Sequence, residues 1–231
     1  MDRSERAATP ATKPAPKQRA AKKQARGPYA VGDERRRRIL DTAVEHFSQW
    51  GFHASSLARI AKDVGVTQGG LLHHFRSKED LLVSVLERSE EHDIERFFTA
   101  EFASAADCLL RLCDLVAHNS ERPGRTRMFN VLIGESSDPG HPAHAFFARR
   151  YERVADQLAR ALADGVERGE LRSDTDCAAL AREVLAVMDG IQIQWALTPD
   201  AVDMRKRLHT YLDRLYRFLS PTGASLPPRT A

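Results

Sequence analysis

The chain has 231 residues, with 35 lysines and arginines against 32 aspartates and glutamates, a formal net charge of +3. That small total hides a split: residues 1–32 carry +6 and residues 33–231 carry −3. No apolar run approaches the ~18–20 residues that span a bilayer. The opening residues carry no apolar signal segment. The three cysteines, Cys108, Cys113 and Cys177, form no C-x-x-C pair and read as thiols in a reducing compartment, neither disulfides nor zinc ligands. These features predict a cytoplasmic, nucleoid-associated location, with no membrane partner.

Residues 1–32 form a basic arm rich in Ala, Pro, Lys and Arg, without apolar periodicity. They are expected to be disordered. From Asp33 the pattern turns helical. Ile39, Leu40, Ala43, Val44 and Phe47 share one helical face, closed by Gly51. Ser55 or Ser56 can cap a second helix carrying Leu57, Ile60, Ala61 and Val64, which ends at Gly65. Thr67 can cap a third, running to about His73. Ser77 to Asp80 fits a capping box and opens a fourth. Five more helical stretches follow, at about 105–119, 125–136, 142–168, 174–197 and 201–219, separated by Pro and Gly breaks. Residues 221–231 are expected to be a disordered tail. No strand alternation is evident, so the chain reads as all-α with about nine helices.

Residues 55–73 have the proportions of a helix-turn-helix, whose second helix would enter the major groove. Residues 39–82 go further and resemble the N-terminal domain of the TetR family of transcriptional regulators. The match runs through Ile39–Phe47, Gly51-Phe52, Ser56–Ala61, Gly65–Thr67, Leu71, His74-Phe75, Ser77–Glu79 and Leu81-Leu82. The resemblance implies a three-helix DNA-binding domain over 33–80. It also implies a larger helical ligand-binding and dimerisation domain over 81–220. Met188-Asp189-Gly190 through Trp195 is similar to the Asp-Gly-Leu…Trp segment of a C-terminal subgroup that includes choline-responsive repressors. One departure stands out. Family members usually carry a phosphate-touching tyrosine where this chain has Leu72 or His73. Leucine cannot make that bond; a histidine ring N–H can.

Gln68 is the expected reader of a base edge, by a bidentate pair with adenine. Ser55, Ser56, Thr67, His73 and Lys78 are expected phosphate contacts. Arg59 faces outward, Arg35–Arg38 extend the basic footprint, and Gly69-Gly70 permit close backbone approach. The resemblance implies a ligand pocket, with Phe98, Met128, Phe129, Leu132, Phe147, Tyr151 and Trp195 as lining and Asn119, Asn130, Arg150 and Gln192 as polar anchors. It also implies a homodimer through the last two helices. Leu180, Val184, Val187, Ile191, Leu208, Leu212 and Leu215 are the expected interface.

No nucleophile, phosphate-loop or metal-spaced cluster is present, and His141-x-x-His144 lacks a third ligand. No catalytic residue, cofactor or metal is therefore expected. The partners expected are a double-stranded operator, a second copy of the chain and a small-molecule effector. The expected function is a repressor released from a palindromic operator by an inducer. The alternative is an activator or global regulator with no small-molecule ligand.

Overall fold

The computed structural model describes residues 28–227, with side chains from Gly32. The predicted basic arm up to Gly27 and the last four residues lie outside the described residues. Nine helices and no strand occur among the described residues: α1 (Pro28–Trp50), α2 (Leu57–Val64), α3 (Gln68–Leu72), α4 (Lys78–Phe97), α5 (Ala105–Ser120), α6 (Pro123–Glu135), α7 (His144–Glu167), α8 (Cys177–Leu197) and α9 (Met204–Leu219). None is long and apolar enough to cross a membrane.

Helix starts follow the local chemistry. The side chains of Ser77, Ser104, Asp176 and Asp203 each accept the N–H of the residue three further on, at 3.2, 2.9, 3.0 and 2.9 Å, satisfying donors the helix leaves open. Asp80 returns the favour at α4 by accepting from the Arg76 N–H at 2.8 Å. Helix α1 differs from expectation by already including Pro28 to Gly32. A proline is compatible with a first turn because its missing N–H has no intrahelical acceptor there.

Two cores organise the molecule. The first holds Ile39, Leu40, Phe47, Ile60, Leu71, Phe75, Leu81, Leu82 and Leu86 from α1–α4, and it also takes in Met128 and Leu132 of α6 and Phe146 and Phe147 of α7. The second is built by α5, α7, α8 and α9 around Leu109, Leu112, Leu158, Leu162, Val184, Leu208 and Leu212. Packing therefore does not divide at residue 80. The predicted small domain shares its core with α6 and the start of α7. The predicted tail also differs, since Leu226 is buried in the second core and its N–H reaches Asp213 Oδ1 at 2.9 Å. The Gly223 and Ala224 N–H groups also bond Ser220, at its carbonyl (3.1 Å) and its hydroxyl (3.2 Å).

Candidate functional site

Helices α2 and α3 are joined by a turn that the sequence specifies locally. Gly65 adopts φ 79°, a left-handed conformation that costs an ordinary residue about 1–2 kcal/mol. Its N–H bonds Lys62 O at 3.0 Å and the Val66 N–H bonds Ala61 O at 2.9 Å, the two bonds of a Schellman motif. Val66 packs against the first core. Thr67 then caps α3, its hydroxyl accepting from the Gly70 N–H at 3.0 Å. A Cβ on Gly70 would stand 3.2 Å from that hydroxyl, which ties the second glycine to the cap. Gly69 has open space at its Cβ position except for Thr67 Oγ1 at 4.0 Å.

Arg59, Thr67, Gln68, Gly69, Leu72 and His73 are exposed along α2 and α3, while Ser56 and Gly70 are half-buried. Arg59 stacks over Trp50, its guanidinium carbon 5.2 Å from the ring centre. Ser56 occupies the N-cap position of α2 without a side-chain cap bond. Two of the predicted phosphate contacts are built in elsewhere. Ser55 is buried, and its hydroxyl donates to Gly51 O at 2.5 Å, with His46 O 3.2 Å away. The Lys78 ammonium bonds three carbonyls, Phe52 at 2.9 Å, Ser55 at 3.1 Å and His53 at 3.2 Å. It also sits 4.3 Å from the centre of the Phe52 ring. An ammonium has three N–H donors, and all three close the α1–α2 turn.

The arginines opening α1 divide their tasks. Arg37 pairs with Glu34 at 2.8 Å, Arg38 bonds Val64 O at 2.8 Å, and Arg36 lies over Phe75 at 4.9 Å. The electrostatics near α3 are cationic. Burial, then His73, Arg35 and Arg36, push the His74 ring below the usual histidine range.

A cavity opens between α4, α5, α6, α7 and α8, with about 1100 Å³ of empty space counting its mouth. Of the predicted lining, Phe98, Asn119, Phe129, Arg150, Tyr151 and Gln192 are there. Met128, Leu132 and Phe147 are instead committed to the first core and Trp195 to the second. A helix presents only one stripe to a cavity, and on α6 that stripe is Arg125, Thr126 and Phe129. Asn130 stands behind it and holds Gln192, accepting from Gln192 Nε2 at 2.8 Å.

The polar lining includes groups that the periodicity reading missed. Glu90 and Asp93 of α4 face the cavity. Asp93 pairs with Arg125 of α6, and Glu90 pairs with Arg153 and, at 3.4 Å, with Arg150 of α7. The Arg150 guanidinium also covers the Phe129 ring at 4.8 Å. Tyr151 donates to Asp189 Oδ2 at 2.5 Å. Burial raises the Asp189 carboxyl above the usual range, against the pull of Tyr151 and Arg150. Burial first, and then Asp189, raise the Tyr151 hydroxyl as well. The clue available in the sequence was carboxylates on otherwise apolar helical faces. Asp189 belongs to the Asp-Gly motif of α8, and that motif carries no signal of its burial.

The three cysteines are free thiols, and burial pushes Cys108 up to about 12. His141 Nδ1 is engaged by Ser136 Oγ at 3.0 Å and by the Ala143 N–H at 3.2 Å, and His144 Nδ1 lies 2.8 Å from Ser136 O. No group of three metal-capable side chains occurs among the described residues.

The expected dimer residues also divide. Leu180, Val184, Leu208 and Leu212 are buried within their own chain. Val187, Ile191 and Leu215 are half-buried, and Ile193, Leu197 and Phe218 are exposed at 50%, 77% and 69%. A helical apolar run has two flanks, and only the outward one can meet another molecule.

Comparison with known proteins agrees with this architecture. Residues 39–85 match the family model of bacterial regulatory proteins of the tetR family, and residues 139–217 match that of the BetI-type transcriptional repressor C-terminal domain. The chain is 27% identical over 186 residues to the HTH-type transcriptional regulator TtgR of Pseudomonas putida, covering 78% of this chain and 89% of that one. It is 27% identical over 189 residues to the regulator AcrR of Shigella flexneri, covering 78% and 86%. Among solved structures, SmeT, the repressor of the Stenotrophomonas maltophilia multidrug efflux pump SmeDEF, superposes with a TM-score of 0.70 at 19% identity, covering 85% and 97%. A transcriptional regulator of Saccharomonospora viridis in complex with choline gives 0.64 at 25% identity, covering 78% and 96%. One family model covers the helix-turn-helix and the other covers α7, α8 and most of α9, and the chain belongs to the TetR family of transcriptional regulators.

Proposed function

We propose that this regulator is a homodimeric repressor that binds a palindromic operator through α3 and is released when a small molecule fills the cavity. The observation that carries this reading is the placement of the cavity against α4. That helix starts at the helix-turn-helix and ends at the cavity wall, and its carboxylates Glu90 and Asp93 hold arginines of α6 and α7. A molecule entering there must meet the ion pairs that fix α4 relative to the larger helices. Helix α6 adds a second link, because Glu135 at its end accepts the Phe52 N–H at 2.8 Å.

The proposed units are a DNA-binding part over 33–80 and a ligand and dimer part over 81–220. The proposed DNA face is Ser56, Arg59, Thr67, Gln68, Gly69, Gly70 and His73, with the arm before residue 28 as an additional phosphate-binding segment. The proposed dimer face is the outward side of α8 and α9. A single five-residue helix reads few base pairs, so a two-fold dimer with paired half-sites is needed for specificity. Moving such a regulator from nearly all bound to nearly all released takes a differential affinity of about 5.5 kcal/mol.

The test is to select bound fragments from genomic DNA and then screen small molecules for release. Choline and triclosan, each present in a structure of similar fold, are the first probes. Linkage requires operator DNA to weaken effector binding by the factor by which effector weakens operator binding. A molecule that binds free and operator-bound protein equally is not the inducer. Absence of any preferred genomic sequence would overturn the reading.

A further inference from the structure

On the reading that α3 is the recognition helix, its exposed side chains decide which base pairs it can recognise. The residues exposed on α3 and its caps are Thr67, Gln68, Gly69, Leu72 and His73. Thr67 is committed to the cap through the Gly70 N–H, and Gly69 has no side chain. Gln68 and Leu72 are four apart, so they stand one above the other on the same helical ridge. The helix Gln68–Leu72 carries no arginine or lysine, the residues that make the commonest guanine contact. The nearest arginine of α2, Arg59, is stacked over Trp50.

Leu72 is out of place by ordinary packing logic. Its neighbour Leu71 is fully buried and fills the small core, whereas Leu72 is 39% exposed. The other large hydrophobic side chains exposed among the described residues are Ile193, Leu197 and Phe218, far along the chain on α8 and α9. In a major groove, a leucine pressed against hydrogen-bonding base edges would strip water from donors and acceptors and give nothing back. Only one group on those edges is apolar, the C5-methyl of thymine. Gly69 beside it has open space where a side chain would stand, so nothing there holds the ridge away from the groove floor.

We propose that Leu72 packs on a thymine methyl next to the adenine bound by Gln68, so that each operator half-site carries A·T pairs under α3. Leu72 is thus a specificity-determining residue, and the position does not serve as a phosphate contact.

The experiment uses the full chain and the operator obtained by genomic selection. Each thymine of the half-site is replaced by deoxyuridine, which removes only the methyl. Binding is measured for the wild type, Leu72→Ala and Gln68→Ala. For the wild type, one thymine position should cost about fourfold per half-site, the worth of one methyl-sized apolar group, and about fifteenfold when both half-sites are changed. Leu72→Ala should lose affinity on the natural operator and become indifferent to the deoxyuridine at that position, a coupling that a merely structural leucine would not give. Gln68→Ala should relax the preference for adenine at the neighbouring pair. The inference is overturned if no thymine is methyl-sensitive, if Leu72→Ala keeps the wild-type sensitivity, or if the selected half-sites carry G·C under α3. It falls together with the functional reading if the wild type prefers no sequence at all. The wild-type scan needs no variant, so a folding defect in Leu72→Ala cannot shield the inference.

Discussion

Lys78 shows how one side chain can satisfy a DNA-binding motif and still have another role. A lysine at the start of a helix beside the recognition element is a natural phosphate contact, yet its three donors are taken by Phe52, His53 and Ser55 carbonyls. Charge-assisted bonds of this kind are worth about 1.5–3 kcal/mol, discounted here because the site is half exposed. Lys78→Met should lower stability by about 2 kcal/mol in urea titrations. The slope of operator affinity against salt should stay unchanged in the folded variant, whereas a lost phosphate contact would flatten it by about one. Asp189 gives a second prediction. Its carboxyl is raised by burial, so the ionised form opposes folding. That opposition is absent below the unfolded carboxylate range and grows as pH rises through the raised folded value. Asp189→Asn keeps an acceptor for Tyr151 and removes the charge. The variant should match the wild type in acid and become the more stable of the two towards neutral pH. Thermal melts across pH 3–8 check this, and a constant difference would sink it.

At the scale of elements, the α1–α2 turn is the joint between the helix-turn-helix and the rest. Gly51 has φ 67°, and a Cβ there would stand 2.0 Å from Glu135 Oε1. The same carboxylate accepts the Phe52 N–H, and Phe52 is gripped on its other side by Lys78. Gly51→Ala should therefore destabilise by more than the about 1–2 kcal/mol of the left-handed backbone alone. Adding Glu135→Ala should recover part of the excess but not the backbone cost. A purely additive double variant in denaturant titrations would show that the two groups do not meet. The periodicity of α1 and the Gly51 stop are readable from the sequence. The partner of that turn is a glutamate 83 residues away from Phe52, and no local pattern signals it.

At the scale of the whole molecule, the net charge of +3 averages unlike parts. The N-terminal 32 residues hold +6, burial and then the neighbouring His73, Arg35 and Arg36 depress His74 beside α3, and the remainder holds a cavity of mixed polar and apolar lining and an apolar outer face. That outer face gives the last prediction. Leu197→Glu lies on a residue 77% exposed, so the chain should fold with unchanged helicity and sediment as a monomer. Leu212→Glu, at a fully buried position, should unfold the chain. If Leu197→Glu remained dimeric by sedimentation, the α8–α9 face would not be the interface near that end.

The sequence by itself determined the number and order of the helices, the Thr67 and Ser77 caps, the Gly65 turn and the family. These depend on spacing and on bonds between residues a few positions apart, and such bonds recur with little regard to the rest of the molecule. Only the tertiary structure decided which apolar residues face the cavity, the cores or the outside. Met128 and Phe129 are adjacent on α6, but one completes the core under the helix-turn-helix and the other lines the cavity. Leu212 and Leu215 share a helix, but one is inside and the other on the flank. Hydrophobicity is the same on either side of a helix. Which side is buried depends on the neighbours that the chain brings back from far along its length.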